Sequence, residues 1–245
     1  MPSSTSKQEA DPQTACGQVT SGRTVCNRYN AGVSVSVVRQ MASAAFPTRW
    51  GKFRIYGFRS EVSSAQAPGQ DRQKNGPVEE AVALVMGDVH SAPPLVRIHS
   101  QCLTGDVFHS LRCDCRQQLE LALSLISAAG AGILIYEQQE GRGIGLMAKL
   151  QAYELQDSGL DTVEANERLG FKADHRDFTL PAEMLKALGV TRVRLLSNNP
   201  DKVEALERAG VKVEERVPCE VEANEHAEEY LKTKKEKLGH LFTPR

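Results

Sequence analysis

The sequence predicts an α/β fold class, a mixed sheet with flanking helices, and two stretches carry that prediction. In the middle of the chain, apolar runs at 81–86 (AVALVM) and 95–98 (LVRI) lead into a cysteine-rich turn. A helical period in Leu119, Leu123 and Ile126 then ends at Gly130, and a strand-like run follows at 132–136 (GILIY). Further on, a strand at 192–197, a helix opened by Asn199 and Pro200 and stopped by Gly210, and a strand at 211–217 make a β-α-β unit. The 245 residues are 40% hydrophobic, enough to build a core for one large domain or two small ones.

Residues 1–43 are expected to form a disordered tail, because Ser, Thr, Gln and Gly dominate the first thirty and leave little apolar surface to offset ordering entropy. The ordered domain is expected over 44–245. Its first strand alternates through Phe53, Ile55 and Tyr56 after a turn, with Trp50 packing at the strand's start. Residues 61–77 (EVSSAQAPGQDRQKNGP) read as a long exposed loop, since turn formers fill them without a period. The stretch EQQEGRGIGLMAKLQAYELQDSG reads as a glycine-rich turn opening a helix, with Leu146, Leu150 and Tyr153 on one face. Asp161 and Glu164 form a capping pair for a short helix. Asp174 and Arg176 stand two apart in a polar loop, on the same side if that loop is extended. A charged outer helix is expected at 225–238.

Charge excludes some functions. Thirty basic against 31 acidic side chains leave a formal net charge of -1, so no global field draws the chain to nucleic acid or a membrane surface. No apolar run approaches the ~20 residues of a spanning helix. Six cysteines in 245 residues are too few for a disulfide-stapled secreted scaffold, and a reducing, cytoplasmic setting is expected.

Cys102, Cys113 and Cys115 are spaced C-x10-C-x-C in one turn, which suits a soft, redox-silent cation such as zinc. Three protein ligands would leave a fourth position for water and catalysis, whereas His99, His109 or Cys219 could close the site into a structural one. Four cationic groups, Arg97, Arg142, Arg176 and Lys202, lie at strand ends or loops around that turn. Arg142 sits among glycines where backbone N–H groups favour an anion, although a solvated loop arginine would read the same way. Together they suggest a phosphorylated substrate brought to an acidified water, with a carboxylate such as Asp174 moving protons. Nucleobase deaminases share that logic, but their P-C-x-x-C motif is missing here.

The runs RIHSQCLTGDVFHSLRCDC, YEQQEGRGIGLMAKLQAYELQDSGLDTVEAN, LGFKADHRDF and LLSNNPDKVEAL resemble, in order and spacing, the signatures of GTP cyclohydrolase II, the first committed enzyme of riboflavin synthesis. The resemblance extends from about Phe46 to Phe242 and implies a single domain of that family's fold. It implies zinc-dependent opening of the imidazole ring of GTP, with release of formate from C8 and of diphosphate, giving 2,5-diamino-6-hydroxy-4-(5-phosphoribosylamino)pyrimidine. By position, it makes Cys102, Cys113 and Cys115 the ligands of one Zn2+ per subunit, Asp174 the proton acceptor, Arg176 the nucleophile at the α-phosphorus and Tyr153 an active-site phenol. The nucleotide would be bound by Arg97, Ile98, His99, Ser100, Gln101, Gln118, Glu140, Gly141, Arg142, Thr162, Ser197 and Lys202, with Mg2+ on the triphosphate. It also implies a homodimer, and a stand-alone form, because a fused dihydroxybutanone-phosphate synthase would need a much longer leading segment. Its nucleophile sits badly with chemistry, since a guanidinium stays protonated above pH 12; stabilising the leaving diphosphate suits Arg176 better.

Gln101 stands where many members have Glu, Arg116 and His109 where glycine is usual, and Ser197 where Thr is usual. The rival readings are a paralogue that stops after ring opening or takes another purine nucleotide, and a non-catalytic zinc module that binds a partner.

Overall fold

The computed structural model describes residues 24–26, 35–63, 78–171, 174, 176–221, 239 and 241. The expected outer helix at 225–238 and most of the expected tail and 61–77 loop therefore lie outside the described residues.

Eight strands form one sheet in the order β1-β2-β3-β4-β6-β5-β7-β8. β1 (Thr24–Cys26), β2 (Val35–Thr48), β3 (Gly51–Ser63), β4 (Val78–Met86) and β6 (Gly132–Glu137) pair antiparallel with their neighbours. β5 (Leu95–Ser100), β7 (Arg192–Leu196) and β8 (Lys212–Val217) continue the sheet in parallel from β6. The mixed α/β sheet expected from the sequence is thus present.

Alternation within the strands divides the core between two faces. Ile133 and Ile135 of β6, Val96 and Ile98 of β5, and Val193 and Leu195 of β7 point to one face. There they meet Leu180, Met184 and Leu185 of α5 (Thr179–Ala187) and Leu206 of α6 (Pro200–Arg208). Leu95, Leu134 and Leu196 point to the other face, against Ala122, Leu123 and Ile126 of α2 (Cys115–Ala129). α2 stops where Gly130 adopts φ 72°, the left-handed conformation glycine takes without cost.

Three boundaries differ from the sequence reading. β2 begins at Val35, before the expected start of order at 44, and its Val38 is buried in the core; the alternating VSVSVV run already has a strand's period. The strand β3 runs on through Ser63, into the stretch expected as loop. The helix α5 was not expected: Leu180 to Leu185 and Ala187 are all buried, so no polar stripe marks a helical period.

Trp50 does pack at the start of β3, at the tip of the β2–β3 hairpin. Thr48 Oγ1 closes that hairpin by accepting from Trp50 N at 3.1 Å and donating to Gly51 O at 3.1 Å.

Candidate active site

The site gathers at the C-terminal ends of the parallel strands, where open α/β sheets present their loops to ligands. β5 ends at Ser100 and leads into α1 (Leu103–Asp106), which with the start of α2 holds the three cysteines. Their sulfurs lie within 4.8 Å of one another, and Cys102 Sγ is 3.7 Å from Cys113 Sγ. Gly105 makes the approach possible, since a Cβ there would lie 2.9 Å from Cys113 Sγ and 3.2 Å from Cys102 Sγ.

Three thiols this close cannot ionise independently. Hydrogen bonds from the other two thiols hold Cys102 well below the usual thiol range, with Lys149 adding to the effect. That thiolate in turn pushes Cys113 up to about 11 and Cys115 well above its ordinary value. A dication relieves such a set by matching charge to all three sulfurs, so donor type, spacing and the small cradle at Gly105 fit a thiophilic metal. Among the described residues the cluster able to hold a metal consists of these three cysteines. His99, His109 and Cys219, the fourth ligands considered, do not join it. His99 Nε2 faces Asp106 at 3.1 Å, Cys219 Sγ faces Gln118 O at 3.9 Å, and His109 is exposed with φ 57°.

Behind the thiols a buried carboxylate fixes the turn. Asp106 accepts from Cys102 N at 3.0 Å and from the Tyr136 hydroxyl at 2.8 Å, and its oxygens lie beside the His99 ring. Burial lowers the pKa of His99, against the pull of Asp106, so it stands there as a neutral ring. Arg116 donates to Asp106 O at 2.6 Å and pairs with Glu120, tying α1 to α2 at a position where the family resemblance leads one to expect glycine.

The glycine-rich turn at 140–145 runs through the left-handed region. Arg142 adopts φ 61° between Gly141 at φ 61° and Gly143 at φ 86°, and a non-glycine residue held there costs of order 1 kcal/mol. Glu140 locks the turn to the cysteine loop: Oε2 accepts from Leu103 N at 2.6 Å, while Oε1 accepts from Lys149 Nζ at 2.7 Å. Lys149 also reaches Cys102 Sγ at 3.2 Å and Thr104 Oγ1 at 2.9 Å. Burial works against its charge, but the Cys102 thiolate and Glu140 hold its pKa above the ordinary range. Sequence reasoning missed Lys149; the available signal was its i, i+4 spacing to Tyr153 on α3 (Leu146–Asp157). The expected inner face of that helix also needs correction. Leu150 is exposed and Ala152 is the buried residue, because the helix packs its Lys149–Tyr153 side against a polar cleft.

The cleft has two halves. The first, about 670 Å³, is lined by the three cysteines, Gln101, Glu140, Gly141, Lys149, Tyr153 and Thr162. Thr162 opens α4 (Thr162–Arg168), whose capping box of Asp161 and Glu164 is formed as expected. The Tyr153 hydroxyl lies 3.3 Å from Thr104 Oγ1, and burial raises its pKa. The second half, about 570 Å³, is lined by Arg97, His99, Gln118, Ser197 and Lys202. Ser100, Cys115, Arg142 and Arg176 line both.

The four expected cations therefore do converge. Arg97 donates to Leu196 O at 3.0 Å and to Gln118 Oε1 at 2.7 Å. Lys202 donates to Ile98 O at 2.8 Å from a fully buried position, and that burial lowers its pKa. Ser197 is hydrogen-bonded to the backbone of Asn199, the N-cap of α6. Ile98 offers only backbone, because its side chain belongs to the apolar core. Asp174 and Arg176 are paired through two guanidinium nitrogens, with Arg176 Nε 2.9 Å from Asp174 Oδ1. Burial opposes ionisation of Asp174, but this guanidinium holds its pKa below the ordinary value. Asp174 thus stands behind Arg176 and outside the lining of either half.

Glu137, at the end of β6, was also missed. It is 1% exposed, accepts from Ser100 Oγ at 2.6 Å, and has its pKa raised by burial.

Comparison with known proteins gives a consistent result. The sequence model of the family described as GTP cyclohydrolase II matches residues 39–218. A GTP cyclohydrolase-2 of Cronobacter sakazakii is 54% identical over 207 residues, covering 84% of this chain and 98% of the relative. One from Buchnera aphidicola is 52% identical over 204 residues, covering 83% and 97%. One from Escherichia coli is 54% identical over 206 residues, covering 84% and 98%.

Proposed function

The chain belongs to the GTP cyclohydrolase II family, and from that premise we propose that it hydrolyses GTP in riboflavin biosynthesis, opening the imidazole ring and releasing formate and diphosphate. One observation carries the reading: three clustered thiols face one half of a cleft whose other half is lined by cationic groups. A nucleotide fits with its base and sugar beside the thiols and its phosphates among the cations.

Cys102, Cys113 and Cys115 would hold the zinc ion, which when bound supplies a Lewis acid and a water acidified toward neutral pH. Arg97 and Lys202, oriented by Gln118 and by the Ile98 carbonyl, neutralise phosphate oxygens. Arg142, presented by its left-handed turn, and Arg176, steadied by Asp174, meet the phosphates where the halves join. Tyr153 keeps its phenolic proton at neutral pH and can donate it to a developing charge near the thiols. Lys149 offsets the negative charge of the thiol cluster.

The same reading takes magnesium with the triphosphate, one zinc per chain, a homodimer and a cytoplasmic setting from the family. Among the described residues no helix is long and apolar enough to cross a membrane.

The test incubates the zinc-loaded protein with GTP and magnesium and follows formate and diphosphate together, beside a Cys113→Ser control. Release of both in equal amounts, lost in the control, is expected. Diphosphate without formate would point to the paralogue that stops before formate is released, and a folded, metal-replete sample yielding neither would move the reading to a non-catalytic zinc module.

A further inference from the structure

The thiol half of the cleft holds polar side chains that the family resemblance does not assign, and most of them are already committed. Arg112 pairs with Asp157 and lies over the Tyr153 ring at 4.8 Å. Gln139 accepts from Asp177 N at 2.9 Å and donates to Glu137 Oε2 at 3.3 Å. Lys149 is shared among Glu140, Cys102 and Thr104. Asn166 is different. It lines the same half and is 3% exposed. Its backbone carbonyl accepts from Leu169 N at 3.1 Å and Phe171 N at 2.9 Å, whereas among the described residues no hydrogen bond reaches its side-chain amide. Gln156 also leaves its amide open there, but it is only half-buried, so water can serve it. A buried amide without a partner costs stability, and one kept at the wall of a cleft calls for a ligand.

The helix α4 sets that amide in place. Thr162 and Asn166 are four apart on it and both line the cleft, while Val163 and Ala165 are buried behind them. The phosphates have the cations of the other half. An uncharged amide, with a donor and an acceptor side by side, matches the edge of a nucleobase. In guanine, N1–H and O6 form such an edge, on the pyrimidine ring and away from C8. Ring opening sets C8 beside the thiols, so this edge points away from them, and Asn166 is the buried amide left to meet it.

Resting on the cyclohydrolase reading, we propose that the Asn166 carboxamide holds the guanine base by its edge, Oδ1 accepting from N1–H and Nδ2 donating to O6. Asn166 thereby fixes where C8 lies relative to the thiols and takes no part in making or breaking bonds.

The test compares GTP with 1-methyl-GTP, which lacks the N1–H, on the zinc-loaded full chain with magnesium. Formate and diphosphate are followed, beside Asn166→Ala and Asn166→Asp. The unsubstituted chain should favour GTP in kcat/KM by roughly tenfold or more, the worth of a bidentate base contact, and Asn166→Ala should lose most of that preference. Its KM for GTP should rise more than its kcat falls. Asn166→Asp keeps the shape of the side chain but sets a carboxylate against O6, so affinity for GTP should fall while circular dichroism and zinc content stay as they are. An unsubstituted chain that takes both nucleotides equally, an Asn166→Ala chain that keeps the full preference, or an Asn166→Asp chain with undiminished affinity would overturn the contact and leave the cyclohydrolase reading standing. The first of these outcomes needs no variant, so the proposal can fail even if a variant does not fold. No formate and no diphosphate from GTP on the unsubstituted chain would bring down the reading and this contact together.

Discussion

A methyl group at Gly105 would press on two of the three clustered sulfurs, at 2.9 and 3.2 Å. Neither sulfur can retreat, because Cys102 and Cys113 are buried and their turn is pinned by Asp106. Gly105→Ala should therefore lower zinc affinity at least tenfold, read by metal analysis after competition with a chelator, while the far-UV circular dichroism stays unchanged; full occupancy would show that the turn can yield. At Asp174 the expected signal is a pH dependence. Arg176 holds this carboxylate below its ordinary pKa, so the pair stabilises the fold above the unfolded value, about 4, and that stabilisation is lost as pH falls through the lower folded value. Asp174→Asn should melt below the unsubstituted chain at pH 7, with the gap closing once the solution is acidified below about 4; a gap independent of pH would exclude the ion pair as its source.

At the scale of elements, α4 shows how a local signal positions a distant side chain. Asp161 accepts from Val163 N at 2.8 Å and Glu164 N at 3.1 Å, while Glu164 returns to Asp161 N at 3.0 Å, so Thr162 enters the cleft at a fixed angle. Removing the cap with Asp161→Ala should cost about 1 kcal/mol, roughly 2–4 °C in Tm, and should raise KM for GTP more than it lowers kcat. Equal loss in both would mean that Thr162 does not serve ground-state binding. Such elements were legible because their signals are local: the box at 161–164, the Asn199–Pro200 start of α6 and the Gly130 stop of α2 sit within a few residues of what they control. The α5 segment was not, since a helix buried on nearly every side shows no polar stripe. The cysteines and the four cations could be read from residue type and place in the chain. The contacts of Lys149 with Cys102 and of Glu137 with Ser100 could not, because they join partners 47 and 37 residues apart that only the folded sheet brings near.

At the scale of the whole molecule, the fold rests on its apolar core rather than on the thiol turn. Apolar clusters on both faces of the sheet hold strands and helices together, and the thiol turn hangs from the end of β5 as one loop among several. Removing zinc with a chelator should lower Tm by about 10 °C, the few kcal/mol that a ligand near a thousandfold above its dissociation constant contributes, without abolishing cooperative melting. Loss of the transition altogether would make the metal part of the core. The strand order has a further consequence for how the chain is made. β5 leaves the ribosome before either neighbour, since β6 and β7 on its two sides both come later in the sequence. Until Leu196 has been synthesised, the newborn cysteines have no finished slot to enter, so during that interval the nascent chain, and not the folded enzyme, is most open to oxidants and stray metal ions.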